Sequence, residues 1–133
     1  MILDTSAIVA VIDEEADAES IAAKIAAARR LAVSAATLVE LTGVLMRYQR
    51  PELHAIVGRR LKEWGVETAP FDAEQAQIAQ QAYRDYGRGS GHPARLNLGD
   101  CYSYALAIAS DEELLFVGDD FTHTDVPRAR AAS

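Results

Sequence analysis

Asn97-Leu98-Gly99-Asp100-Cys101-Tyr102-Ser103-Tyr104-Ala105-Leu106-Ala107-Ile108-Ala109 places an acid at the head of a run that is apolar or aromatic on nearly every side. Gly99 breaks the loop before it, and the residues after Asp100 read as a helix buried all round, the central helix around which the other elements must pack. Asp100 then meets the free amides of the first helical turn and the positive end of the helix dipole, both of which favour an ionised carboxylate. Two roles fit that position: a cap for the helix, or an anionic oxygen held for a hard cation.

Outward from this stretch the chain alternates. Leu114-Leu115-Phe116-Val117 is an apolar β-type run that ends in Gly118-Asp119-Asp120. Before the central helix, Gly87-Arg88-Gly89-Ser90-Gly91-His92-Pro93 is irregular, and no Gly-Lys-Ser/Thr comes after it, which excludes a Walker-type phosphate loop. His92, alone before a proline, reads as a structural or solvated loop residue. Further back, Asp72 caps a helix to Tyr86, Val66-Glu67-Thr68 is a third strand, and Pro51 opens a helix to Trp64 that Gly65 ends. Ser34 caps a helix from Ala35 to Tyr48 with Leu38, Leu41, Leu45 and Tyr48 on one face, after a second strand at Leu31-Ala32-Val33. Glu40 lies about 200° round that helix from Leu38, away from the apolar seam, and by itself reads as surface. A helix of about Ala16 to Ala28 has a narrow stripe of Ile21 and Ile25. The chain opens with the strand Met1-Ile2-Leu3 and a helix through Ile12 capped by Asp4 or Thr5. From Pro127 the tail of alanine and arginine reads as frayed.

Strand alternating with helix implies an α/β fold, a mainly parallel sheet covered by helices on both faces with right-handed crossovers. Such folds gather their sites beyond the carboxyl ends of the strands. Asp4 ends the first strand and Asp119-Asp120 the last, so if those strands are neighbours their carboxylates meet, with Asp100 at the same edge. Converging carboxylates repel unless a cation lies between them, and an all-oxygen set suits Mg²⁺ or Mn²⁺ rather than zinc.

Composition narrows the remaining classes. A chain of 133 residues, half of them hydrophobic, is expected to form one domain spanning residues 1–133. No basic leader precedes Ile2, and Ser34, Thr37, Glu40 and Thr42 interrupt the longest apolar stretch, so a signal peptide and a membrane span are not expected and the cytoplasm is. A net charge of −7 argues against broad adhesion to nucleic acid and leaves room for a local site, and eleven of the 13 basic residues are arginines. Cys101, the single cysteine, reads as a small core hydrophobe.

Leu3-Asp4-Thr5-Ser6-Ala7, Glu40, Leu96-Asn97-Leu98-Gly99-Asp100-Cys101 and Leu114 to Phe121 resemble, in order and spacing, the PIN-domain ribonucleases of the VapC toxin family. The resemblance covers nearly the whole chain. It implies a three-layer α/β/α PIN-like domain with Asp4, Glu40, Asp100 and an acid after the last strand around one or two Mg²⁺ or Mn²⁺ ions. Phe116-Val117-Gly118 fills the place of a Thr-X-Asp motif found in many members, so the fourth acid falls to Asp119 or Asp120; alignment on Phe121 selects Asp120. Thr5, Ser6 and Asn97 are expected to support these acids through hydrogen bonds. The resemblance further implies an RNA substrate, a VapB-type antitoxin that reaches the acids with a basic side chain, and a homodimer within the toxin–antitoxin complex. The helices between Ala7 and Tyr48 are the expected antitoxin surface. Two other classes compete. One is a non-catalytic module that binds protein or RNA, with the acids acting as caps. The other is an aspartate-based phosphatase or receiver, against which stand the lack of a second aspartate two residues after Asp4 and of a strand-end lysine.

Overall fold

In the computed structural model, which describes residues 1–129, four short strands form one sheet. They are β1 (Ile2–Leu3), β2 (Ala32–Ser34), β3 (Glu67–Ala69) and β4 (Leu114–Leu115), ordered β3-β2-β1-β4, with all three pairings parallel. First and last strands are thus neighbours, Ile2 opposite Leu114 and Leu3 opposite Leu115. Ile2, Leu3, Val33, Leu114 and Leu115 are all buried, because a parallel sheet covered on both faces offers its central strands no solvent side.

Six helices cover it: α1 (Thr5–Ile12), α2 (Ala18–Ala27), α3 (Ala35–Arg47), α4 (Leu53–Glu63), α5 (Ala73–Tyr86) and α6 (Leu98–Ser110). Successive strand residues point to opposite faces, and the core divides accordingly. Ile2, Ala32 and Leu114 pack with Ala79, Ala82, Tyr104 and Leu106 of α5 and α6. Leu3, Val33 and Leu115 pack with Ile8, Ile21, Leu41, Leu45 and Val57 of the other four helices. This is the three-layer α/β/α arrangement expected of a PIN-like domain.

Three local readings change. Helix α6 starts at Leu98, so Gly99 is inside its first turn rather than a break before it, and Asp100 is the third helical residue, not the opener; Asn97 is the cap. Helix α4 starts at Leu53, because Pro51 and Glu52 form a turn. The tail is paired where it was expected to fray: the Leu114 amide donates to the Pro127 carbonyl (2.8 Å) and the Ala129 amide to the Leu114 carbonyl (3.1 Å), so the free edge of β4 holds it. Hydrogen-bonding need at a sheet edge, invisible in an alanine–arginine composition, decides this. The remainder of that tail, residues 130–133, lies outside the described residues.

Candidate functional site

Asp4 leaves the carboxyl end of β1 and caps α1. Its Oδ2 accepts from the Ser6 amide (3.0 Å) and the Ser6 hydroxyl (2.6 Å), and its Oδ1 accepts from the Ser103 hydroxyl (2.6 Å). Ser6 Oγ in turn accepts from the Val117 amide (3.0 Å), which ties the chain just beyond β4 to the same corner. Thr37 Oγ1 lies 3.2 Å from Ser103 Oγ, so a buried polar chain runs from α3 through α6 to Asp4. These bonds favour the anion, yet at 3 % exposure desolvation dominates and the carboxyl is pushed above its ordinary range.

Asp100 and Asn97 form a reciprocal capping box: Asp100 Oδ2 accepts from the Asn97 amide (3.0 Å) and Asn97 Oδ1 from the Asp100 amide (2.9 Å). Burial, then the neighbouring Asp4, with smaller contributions from Asp120 and Glu40, push Asp100 up to about 7. Glu40 comes from α3, where Thr5 Oγ1 donates to its Oε2 (2.6 Å), and burial raises its carboxyl as well. It reaches the site by lying across the first turn of α6. A β-carbon at residue 99 would overlap the Glu40 carboxylate, so Glu40 can occupy this position only beside a glycine.

Asp4, Thr5, Ser6, Glu40, Asn97, Asp100 and Asp120 all line one cavity of about 260 Å³. The seven residues assigned to the site from the sequence therefore line the same cavity. Asp119 does not line it; its carbonyl instead accepts from the Thr122 amide and hydroxyl. Asp125, the exposed acid further along, is bonded to tyrosine hydroxyls elsewhere. Sequence reading missed Ser103, Thr37, the contact role of Gly99, and Glu15 and Tyr48 at the cavity wall. Ser103 had a signal: it is a polar residue in an apolar helix, three positions after Asp100 and so on the same face.

A family model described as PIN domain matches residues 1–127. The chain belongs to the PIN-domain family. Ribonuclease VapC42 of Mycobacterium tuberculosis is 53% identical over 126 residues, covering 95% of this chain and 96% of the relative. Ribonuclease VapC28 of the same organism is 46% identical over 129 residues, covering 97% of each. Among solved structures, Mycobacterium tuberculosis VapC20, a toxin that cleaves the sarcin–ricin loop, superimposes with a TM-score of 0.75 at 16% identity over 97% of this chain and 98% of that one. VapBC2 from Rickettsia felis, bound to a promoter DNA fragment, gives 0.71 at 16% identity over 96% and 94%. At such identity these two speak for the PIN fold alone.

PIN-domain ribonucleases are generally dependent on a divalent metal, and the donor chemistry here fits one. Among the described residues no Lys or Arg forms an ion pair with Asp4, Glu40, Asp100 or Asp120, and only Arg47, acting on Glu40 at longer range, offsets part of their mutual repulsion. No three Asp, Glu, His or Cys side chains among the described residues form a group that could by itself hold an ion. That is compatible with Mg²⁺, which is commonly bound through one or two carboxylates and keeps several waters. No histidine or cysteine lines the cavity, and Cys101 packs in the α5–α6 core with its thiol pushed up to about 12 by burial.

The raised acids make stability depend on pH. A carboxyl whose folded pKa lies above its unfolded value binds more protons folded than unfolded, so its contribution is greatest at low pH and is lost as pH rises through the folded value. For Asp100 that window runs from 3.8 to about 7, and Asp4 and Glu40 act in the same direction. In chelator, the chain should melt lower at pH 8 than at pH 5.5 in thermal unfolding followed by circular dichroism. Asp100→Asn should flatten that slope; a slope unchanged by the substitution would assign it to other groups.

Proposed function

We propose that the chain is a metal-dependent endoribonuclease of the VapC type, the toxin of a toxin–antitoxin pair, acting in the cytoplasm with Mg²⁺ or Mn²⁺. The observation that carries this is the convergence on one cavity of four acids from separate segments, none of them in an ion pair among the described residues. Asp4 and Asp100 would hold the cation, with Glu40 and Asp120 beside them on the same cavity wall. When bound, the cation makes an attacking water more acidic and offsets charge growing on the phosphate. Ser6 and Ser103 fix both oxygens of Asp4, and Asn97 fixes Asp100. Thr5 occupies Oε2 of Glu40, which leaves Oε1 to orient the attacking water and accept its proton.

The partner is a VapB-type antitoxin that docks on the helices between Ala7 and Tyr48 and neutralises the acids with an arginine, the toxin being a homodimer in that complex. Antitoxin complexes among the solved PIN-domain structures support this, as does the open acidic cavity. No helix is long and apolar enough among the described residues to cross a membrane. The phosphatase and receiver readings end with family membership.

The test is cleavage of single-stranded RNA by purified chain. Cutting should require Mg²⁺ or Mn²⁺ and stop with EDTA; metal-independent cutting would overturn the mechanism, and binding without cutting would leave the non-catalytic module. In the same assay Asp120→Asn should lower turnover strongly, whereas Asp119→Asn should change it by less than about tenfold, roughly 1.4 kcal/mol in barrier.

A further inference from the structure

Beyond β4 the chain makes an excursion from Phe116 to Val126 before Pro127 returns to the sheet edge. It turns at Gly118, whose φ of +97° is left-handed backbone that favours glycine. The rest is knitted from within. Thr122 and Thr124 each donate amide and hydroxyl to the carbonyl three residues back, Asp119 and Phe121, and the Val126 amide donates to Thr124 Oγ1 (3.4 Å). Such a segment is positioned as one body, and Asp120 with it. The Asp120 side chain makes no hydrogen bond among the described residues, so only the anchoring of this body sets where its carboxylate stands.

One anchor is Phe121, 1 % exposed and tilted against Phe116 with ring centroids 5.0 Å apart. The two ends are held as well, by the Val117 amide on Ser6 Oγ and by Val126, which is buried in the same core as Phe121. A further anchor is polar: Tyr104 donates its hydroxyl to Asp125 Oδ1 (2.6 Å), and Tyr86 donates to the same oxygen (3.3 Å). The two rings meet edge-on at 5.9 Å, and Tyr104 is buried in α6 one turn beyond Asp100 and next to Ser103, which holds Asp4. Burial, aided by the Asp125 carboxylate, pushes both phenols up, which keeps the hydroxyls protonated as donors. Helix α6 therefore carries Asp100, grips Asp4 through Ser103, and grips the body bearing Asp120 through Tyr104.

We propose that Tyr104 and Asp125 are a positioning pair that sets Asp120 against Asp100 and thereby tightens the hold of the acid cavity on a divalent cation. This rests on the metal reading of that cavity. The measurement is Mn²⁺ affinity by calorimetry alongside thermal unfolding. Tyr104→Phe, which keeps the ring, and Asp125→Ala, at an exposed position, should each weaken Mn²⁺ binding by about fivefold or more, the scale of one lost hydrogen bond. Asp125→Asn retains the acceptor oxygen and should stay within about twofold of the unmodified chain. In an Asp120→Asn background, Tyr104→Phe should then have almost no further effect on affinity. Equal weakening by Tyr104→Phe in both backgrounds, or none in either, overturns the pair alone. Failure of the unmodified chain to bind Mn²⁺ overturns the metal reading itself, and the pair's role with it.

Discussion

Asp100→Asn is expected to lose RNA cleavage by a thousandfold or more, about 4 kcal/mol in barrier, while melting no lower than the unmodified chain and, in chelator at pH 8, higher. The amide can still accept from the Asn97 amide, so the capping box survives, and it fills the same volume at a position that is 6 % exposed. What it removes is a charge that burial and the adjacent Asp4, Asp120 and Glu40 all oppose. That charge is costly to the fold at high pH, and holding a cation is the function that would require it there. Stability and activity should therefore move in opposite directions, as expected where a site is strained for its chemistry. RNA cleavage and a melting curve on the same preparation check this. Retained turnover would remove Asp100 from the mechanism, and a large fall in melting temperature would mean the acid is chiefly a cap.

Gly99→Ala should produce the second large effect, through a residue that carries no chemistry. The added methyl would overlap the Glu40 carboxylate. Glu40 is long and only half-buried, so it can swing away, and alanine gains up to about 1 kcal/mol over glycine within a helix. The melting temperature should stay within a few degrees or rise. Cleavage should nevertheless fall by about 10² or more, the range associated with losing a general base, because Glu40 can no longer keep both Thr5 and its place across α6. The double variant Gly99→Ala with Glu40→Ala should be no slower than Glu40→Ala alone. Independent, multiplying losses would show that Gly99 acts by some other route.

The one-dimensional sequence was enough for the architecture and for much of the site. Buried parallel strands read as short apolar runs, the caps at Asp4, Ser34 and Asp72 read from residue type and position, and strand-end acids have few places to go in an α/β fold. These features depend on near neighbours in the chain or on general topology. Glu40 shows the boundary. Helical periodicity put it off the seam defined by Leu38, Leu41 and Leu45, and the resemblance to PIN-domain toxins put it in the site. Packing resolves the two, because α3 is contacted by both α1 and α6 and therefore has a second covered flank.

Other features belonged wholly to the tertiary structure: the Ser103 bond to Asp4 across 99 residues, the Val117 bond to Ser6 across 111, the need for glycine at 99, and the pairing of Pro127 and Ala129 with Leu114. Asp120 rather than Asp119 on the cavity wall lies between the two: strand alternation lost its force at Gly118, and the choice of Asp120 came from the family resemblance through Phe121. A hydroxyl or a missing β-carbon has no period of its own. Its partner is chosen by how helices cross and where a sheet edge needs hydrogen bonds, and those are settled only when the layers close on one another.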